Sequence, residues 1–308
     1  MNFLGIDVGS ISTNFAIVNQ EKQVIDSLYL RTEGNPINAI QEGITQMDRR
    51  NIAGVGTTGS ARRLAGIIVG ADIVKTEIIA HAVASQHFVP DVRTILEIGG
   101  QDSKIIILRD GVVVDFAMNS ICAAGCGAFL DHQANRLRIP IEDFGAIALH
   151  SKNCVNIAGR CTVFAESDMI HKQQIGYRRE DIVRGLCSAI VRNYLNNIGK
   201  GKDIKDPIVF QGGVAANAGV RKAFEEELGR EIMVPEHFAV MGAIGAAILA
   251  LEENPSNTNF KGFDIADIGF ATSSFMCDEC PNRCEIVVIE EQGKVAARWG
   301  SRCGKWNV

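Results

Sequence analysis

One pattern of strand, acid and glycine turn occurs twice in this chain of 308 residues. The first copy is Phe3–Val18 and the second is Thr94–Ile107. In both copies an apolar strand carries a carboxylate near its end, meets a glycine turn with hydroxyl or amide side chains, and returns as a strand. The separation of the two copies is too long for the repeat of a solenoid. The pattern therefore predicts two related lobes of mixed α/β structure.

Three glycine turns follow apolar strands: Gly9-Ser10, Gly99-Gly100 and Gly212-Gly213. Glycine lets the backbone come close to a phosphate, and successive N–H groups can then donate to its oxygens. The P-loop pattern G-x-x-x-x-G-K-[ST] is absent from the chain. The segment 54–59 has the spacing G-x-G-x-x-G but lacks a strand–turn–helix context, so we predict a plain turn over 54–60.

Acids stand just before two of these turns. Asp7 and Glu97 suit a hydrated Mg²⁺, which prefers oxygen ligands and keeps several waters. Gln101 and Asp102 are placed to orient an attacking water, which is the positioning that phosphoryl transfer requires. The spacing leaves open which acid lies nearest that water, and strand-end surface positions for both acids remain the alternative.

Together these motifs resemble the actin-like ATPase superfamily, which includes sugar kinases, acetate kinase and the seventy-kilodalton heat-shock chaperones. The resemblance covers residues 3–251 and implies two ribonuclease H-like lobes with an ATP cleft between them. It implies a catalytic role for Glu77, where such ATPases place an acid that positions water or metal, and for Glu97, where many members carry Asp. The residues that it implies for ATP binding are Gly9, Ser10, Ser12, Thr13, Gly99, Gly100, Gly212, Gly213 and Asn217.

Nine cysteines are many for an enzyme of this size, and their odd number fits poorly with a disulfide framework. Cys122 and Cys161 each precede a predicted helix, the first at about 123–136 and the second at about 163–172. A helix N-terminus stabilises a thiolate and the negative charge of a cluster. Two cysteines cannot supply the four thiolates of a [4Fe–4S] cluster, but a symmetric dimer could.

The segments around these two cysteines resemble one branch of the superfamily, the activators of 2-hydroxyacyl-CoA dehydratases and the ATPase subunits of benzoyl-CoA reductase (the BadF/BadG/BcrA/BcrD type). They read Cys-Ala-Ala-Gly before a Gly-x-Phe-Leu helix, and Cys-Thr-Val-Phe-Ala-Glu-Ser. The resemblance implies a homodimer with one [4Fe–4S] cluster held by Cys122 and Cys161 of both subunits. It also implies that ATP hydrolysis drives single electrons from a ferredoxin or flavodoxin into an iron–sulfur acyl-CoA dehydratase, an acyl-CoA reductase or a double-cubane protein.

The other cysteines divide into a tail group and three that we expect to be inert. Four thiols flank a predicted hairpin around Gln292-Gly293 and have the spacing of a Cys₄ site for zinc or a second iron–sulfur cluster: Cys277, Cys280, Cys284 and Cys303. Cys126 is interpreted as a helix residue or a spare thiol. Cys154 and Cys187 are expected to be buried.

We predict a first lobe over 1–92, a second over 93–251, a linker over 252–262 and a metal-binding tail over 263–308, with helix 240–251 a candidate for return to the first lobe. The net charge of −5, without a long basic run, argues against a nucleic acid partner. No apolar run reaches membrane-spanning length and no secretion signal is evident, so a cytoplasmic location is expected.

Two other functions use the same phosphate loops. One is a small-molecule kinase of the N-acetylglucosamine kinase type, which would need a sugar-binding acid and no cysteines at helix starts. The other is an ATP-driven binding module with a structural zinc tail.

Overall fold

The computed structural model describes residues 1–119 and 125–307. This part of the chain contains both strands and helices, which confirms the predicted mixed α/β class. It forms two compact units, one made of Met1–Glu77 with the chain from Gly242 onward, the other of Ile78–Met241. In the described ranges we find no helix with the length and apolar character needed to cross a membrane.

The first unit is built on a five-stranded sheet of order β3-β2-β1-β4-β5. β1 pairs with β2 antiparallel and with β4 parallel, so β1 is the central strand of a meander and a crossover. The strands are β1 Asn2–Val8, β2 Ser12–Asn19, β3 Val24–Arg31, β4 Ile52–Thr58 and β5 Ile73–Val74, and the helices are α1 Pro36–Gln46, α2 Arg62–Val69 and α9 Met241–Glu253.

The prediction of a turn over 54–60 is wrong, because most of this segment is the buried strand β4. Its glycines serve packing. A Cβ atom added to Gly56 would lie 2.8 Å from the carbonyl carbon of Ala246, and one added to Gly5 on β1 would lie 2.9 Å from that of Ala243. The backbone of α9 therefore lies directly on strands that have no side chains at these points, a packing that only glycine allows.

The second unit has a four-stranded sheet of order β8-β7-β6-β9. β6 pairs with β7 antiparallel and with β9 parallel, as β1 does with β2 and β4. The strands are β6 Thr94–Ile98, β7 Ser103–Arg109, β8 Val112–Asn119 and β9 Ile208–Gln211, and the helices are α3 Glu77–Phe88, α4 Gly127–Leu137, α5 Ile141–Leu149, α6 Thr162–Gln174, α7 Arg179–Tyr194 and α8 Ala218–Leu228.

Helix α3 explains why the second unit starts at residue 78 although the sequence suggested a boundary at 92. Ile78 and Ala82 of this helix pack in one buried cluster with Ile95 on β6 and Val209 on β9. Burial of these apolar side chains attaches α3 to the second sheet.

The segment predicted as a linker is bound to the first unit. Thr258 Oγ1 donates to Asp72 Oδ2 at 2.7 Å, and the Asn259 N–H donates to Asp72 Oδ1 at 2.8 Å. Further on, Ile265 is buried in the apolar core of this unit. A three-stranded sheet follows, with β10 Phe270–Met276, β11 Glu285–Glu291 and β12 Lys294–Trp299. The predicted hairpin β11–β12 is confirmed, and β10 adds a strand that the sequence analysis missed.

Candidate functional site

Asp7 lies at the carboxyl end of β1, in register with Asn14 on β2 and Thr58 on β4. Directly opposite residues share one face of a sheet, so the three side chains stand together. Two buried atoms beside the carboxylate, Asn14 Oδ1 and Thr58 Oγ1, lack a hydrogen-bond partner among the described residues. Buried polar atoms normally have partners, and a carboxylate with an amide oxygen and a hydroxyl fits a hydrated Mg²⁺.

The turn after Asp7 is held by hydroxyl groups. The Gly9 N–H donates to the Ser12 carbonyl at 2.8 Å, and Thr32 Oγ1 donates to the Gly9 carbonyl at 2.9 Å. Thr13 is fully buried with its hydroxyl 2.9 Å from that of Thr32. Ser10, by contrast, is exposed at the tip of the turn. The turn is therefore held by hydrogen bonds on its buried side, while its tip at Ser10 is exposed to solvent.

Glu97 and Asp102 converge at the second glycine turn. A Cβ atom added to Gly99 would lie 3.2 Å from Glu97 Oε1 and 3.1 Å from Asp102 Oδ1. Glu97 is buried at the end of β6, Asp102 is partly exposed, and Gln101 is exposed. The ammonium group of Lys104 contacts both acids, at 3.0 Å from Glu97 Oε2 and 2.9 Å from Asp102 Oδ1.

The third glycine turn follows β9 and is packed against the second. Gly212 has a φ of +86°, and a Cβ atom there would lie 2.7 Å from Glu97 Oε1 and 2.8 Å from the carbonyl carbon of Ile98. Gly213 begins a short 3₁₀ helix that ends at Ala216. Asn217 then caps α8 through its Oδ1, which accepts from the Val220 N–H, while its buried Nδ2 has no partner in the part of the chain that the structure describes.

Gln211, just before this turn, is tied to α3. Its Nε2 lies 2.9 Å from His81 Nδ1, and Ser85 Oγ donates to its Oε1 at 2.9 Å. Burial lowers the pKa of His81 from 6.5 to about 3, and the positive charge of Lys104 acts in the same direction. His81 is therefore a neutral, fixed part of this network. Glu77, which the resemblance marks as catalytic, is the half-buried first residue of α3.

The lowered pKa of His81 predicts a loss of stability in mild acid. Below pH 6.5 this histidine is protonated in the unfolded chain, whereas in the folded protein it stays neutral down to about pH 3. The free energy of unfolding therefore falls as the pH falls through this window. We expect this residue to lower the free energy of unfolding by about 1.4 kcal/mol between pH 7.5 and pH 5.5. Urea unfolding of His81→Gln should lack that part of the pH dependence. His150→Gln, at an exposed histidine, should keep it, and an unchanged slope in His81→Gln would contradict the assignment.

Cys161 is the N-cap residue of α6, half-buried, and its side chain makes no capping hydrogen bond. Cys122 lies outside the described residues. Helix α4 begins at Gly127, later than the predicted 123, and the buried Cys126 is its N-cap. The prediction of a helical Cys126 is thereby corrected. Next to Cys161, Val163 and Phe164 expose 68% and 67% of their surface.

Of the remaining cysteines, Cys187 is buried as expected, and burial raises the pKa of its thiol. The prediction of a buried Cys154 is wrong. This residue is exposed, because it lies in an irregular segment between α5 and α6 rather than on a packed element.

The four tail cysteines lie in loops at the same end of the small sheet, since Met276 pairs with Glu285 and Val287 with Trp299. The Cys277 N–H donates to the Cys284 carbonyl at 2.8 Å, and the Trp306 indole N–H donates to Cys277 Sγ at 3.3 Å. Within residues 1–119 and 125–307, no three His, Cys, Asp or Glu side chains are grouped as metal ligands. The Cys₄ site therefore stays a prediction.

Sequence reasoning missed Lys104, which contacts Glu97 and Asp102. It also missed three residues around Asp7: Asn14, Thr58 and Gly242. The available signal for Lys104 was its place inside the apolar run of β7, since a buried lysine needs a charged partner. No signal in the sequence distinguished Gly242 from the other small residues of α9. A Cβ atom there would overlap Asp7 Oδ2 and lie 2.8 Å from Asp7 Cγ.

Comparison with known proteins gives one family match, to the BadF/BadG/BcrA/BcrD ATPase family over residues 4–250. The chain is 36% identical over 256 residues to the (R)-2-hydroxyglutaryl-CoA dehydratase activating ATPase of Acidaminococcus fermentans, covering 81% of this chain and 97% of that protein. It is 33% identical over 259 residues to the 2-hydroxyisocaproyl-CoA dehydratase activator of Clostridioides difficile, covering 82% and 96%. The structure of an activator of the same name from Clostridium difficile, solved with bound ADPNP, superposes with a TM-score of 0.75 at 33% identity and covers 82% and 96% of the two chains.

Proposed function

Because the chain belongs to the BadF/BadG/BcrA/BcrD ATPase family, we propose that it is an ATP-dependent reductive activator. As an ATPase of this family it would couple hydrolysis to the transfer of single low-potential electrons. The donor would be a ferredoxin or flavodoxin. The acceptor would be an iron–sulfur enzyme such as a 2-hydroxyacyl-CoA dehydratase, a benzoyl-CoA reductase or a double-cubane protein. Relatives named as dehydratase activators support this choice of partner.

A hydrogen-bonded link between a phosphate loop and a cysteine segment carries the proposal. The first N–H groups of α4, from Gly127 and Ala128, donate to the carbonyls of Gly99 and Gly100 at 2.8 and 2.9 Å. The chain that leads into this helix contains Cys122. A nucleotide that shifts the Gly99-Gly100 turn would therefore also displace the start of α4, because these two hydrogen bonds join them. Switches ordered by nucleotide phosphates work through such local contacts.

The thiols suit a cluster shared between two copies of the chain. We assign Cys122 and Cys161 as ligands, and a second subunit would supply the other two thiolates that a [4Fe–4S] cluster requires. Cys161 fits this role because it lies at the N-terminus of α6, where the helix dipole favours the negative charge of a cluster, and its side chain makes no capping hydrogen bond. When bound, the cluster would store and pass on one electron. The exposed Val163 and Phe164 beside Cys161 support an interface at this point.

Each unit also carries groups suited to a nucleotide. Asp7, with Asn14 Oδ1 and Thr58 Oγ1, which have no partner among the described residues, would hold a hydrated Mg²⁺ in the first unit. Glu97, Gln101 and Asp102 would orient water in the second unit, where the Gly212-Gly213 turn and Asn217 would receive the adenosine. We also propose that Glu77 is an acid that positions water or metal in the same reaction.

The tail is proposed as a separate thiolate site. Its cysteines lie beyond residue 250, where the family match ends. The Trp306 indole N–H donates to Cys277 Sγ, and the Lys305 ammonium group interacts electrostatically with Cys277 and Cys303. The ligands suit zinc as well as an iron–sulfur cluster, so the metal has to be measured.

Anaerobic metal and sulfide analysis, with EPR recorded with and without nucleotide, tests the proposal. We expect a brown homodimer with about four iron atoms for every two chains at the shared site, plus zinc or further iron in the tail. Replacing Cys280 and Cys303 together by serine should remove only the tail metal. A protein without iron that transfers phosphate to a sugar would overturn the proposal in favour of a kinase, and zinc alone without ATP-dependent reduction would favour a binding module.

A further inference from the structure

A buried cation joins the two acids of the second glycine turn. The side chain of Lys104 is 3% exposed, and its Nζ lies 3.0 Å from Glu97 Oε2 and 2.9 Å from Asp102 Oδ1. The side chain of Glu97 is 5% exposed and that of Asp102 is 33% exposed. Lys104 is thus screened from water, while the carboxylate of Asp102 reaches the surface.

The backbone holds this lysine firmly in place. Lys104 is in register with Glu97 across the antiparallel pair β6–β7, so the two side chains share a face. The hydroxyl of Tyr194, a fully buried residue of α7, donates to the Lys104 carbonyl at 2.5 Å. The backbone of Lys104 is therefore fixed by a strand pair and a helix at once, and its ammonium group by the two acids.

The two carboxylates need such a cation in order to converge. Both approach the same glycine, within 3.2 Å of the Cβ position at Gly99. Two carboxylates that approach the same point repel each other strongly in a partly buried site, whereas a shared ammonium group attracts both. With one lysine between two acids, the set still carries a net negative charge, which suits the cation of a metal-bound nucleotide.

We infer that Lys104 is a positioning residue for ATP hydrolysis, whose ammonium group keeps Glu97 and Asp102 converged beside Gly99 in the geometry that the nucleotide's metal and attacking water require. The inference rests on the proposed role of these two acids. Lys104 itself acts through the carboxylates. Its absence would remove the ion pair that holds the partly exposed Asp102 carboxylate beside Glu97, and would let that carboxylate turn toward solvent.

The test compares Lys104→Met with Lys104→Arg in the full chain. We expect Lys104→Met to lower kcat by about 100-fold and to raise the half-saturating Mg²⁺ concentration by about tenfold, as losses of groups that orient metal ligands do. Binding of metal-free ADP should not change. Lys104→Arg keeps the charge and should recover most of the lost kcat. A matched control is Lys202→Met, which removes an ion pair with Asp115 in the same unit and should hydrolyse ATP like the wild type.

A double-mutant cycle with Asp102→Asn separates positioning from simple support of the fold. If Lys104 acts through Asp102, the double variant should be little slower than Asp102→Asn alone. A Lys104→Met protein with lowered thermal stability but wild-type kcat and Mg²⁺ dependence would overturn the inference. Failure of the proposed function would look different, because the wild type itself would then lack ATP-dependent reduction.

Discussion

Cys161→Ala is expected to lose the iron–sulfur cluster and still bind ATP. Cys161 lies at the N-terminus of α6, half-buried, and is among the free cysteines of the described chain. Each subunit would supply two thiolates, so removal of Cys161 from both leaves a four-ligand cluster with two protein ligands at most. Iron and sulfide at the shared site should fall to background in anaerobically purified protein, and the reduced EPR signal with them. ATP-dependent electron transfer would disappear entirely.

Cys154→Ala is the matched control for this loss. Cys154 is an exposed cysteine of the same unit, seven positions earlier in an irregular segment. Its replacement should leave iron content, EPR signal and electron transfer unchanged. A Cys161→Ala protein that retains the wild-type cluster signal would show that other residues hold the iron, and the shared-cluster proposal would then be wrong.

Local patterns were sufficient to predict β1 and β6 together with the acids near their ends. Asp7 and Glu97 end apolar runs, and the structure places both at the carboxyl ends of central strands. The start of α6 directly after Cys161 was also predicted within one residue. These features depend on short stretches of sequence, in which the alternation of apolar side chains and the positions of glycine determine the element.

Contacts between distant segments were not predictable in this way. The glycines of β4 read as a turn because the reason for them, the backbone of α9, comes almost two hundred residues later. Lys104 read as part of a strand because its two partners become neighbours only when β6 and β7 pair. The segment 252–262 has linker composition, yet the carboxylate of Asp72 binds it. In each case tertiary packing decides, and composition alone does not carry that information.

The contact between Gly242 and Asp7 has the largest expected consequence in the first unit. Gly242 lies in the first turn of α9, where the positive end of the helix dipole faces a carboxylate favourably. A methyl group at this position would overlap Asp7 Oδ2 and lie 2.8 Å from Asp7 Cγ. Alanine is a better helix former than glycine, so any loss caused by the substitution must come from the displaced carboxylate.

Gly242→Ala should therefore lower kcat for ATP hydrolysis by about 100-fold, the effect of a misplacement of about 1 Å at a reacting centre. The half-saturating Mg²⁺ concentration should rise as well, because Asp7 is the proposed group that faces the hydrated metal. Gly269→Ala is the control: among the described residues beyond its chain neighbours, no atom lies within 4 Å of its Cβ position, and its ATPase rate should equal that of the wild type. Iron content should be unchanged in both variants, since Asp7 is not one of the proposed cluster ligands. If Gly242→Ala is folded and hydrolyses ATP at the wild-type rate, Asp7 does not act in the reaction, and the metal must be held by the acids of the second unit alone.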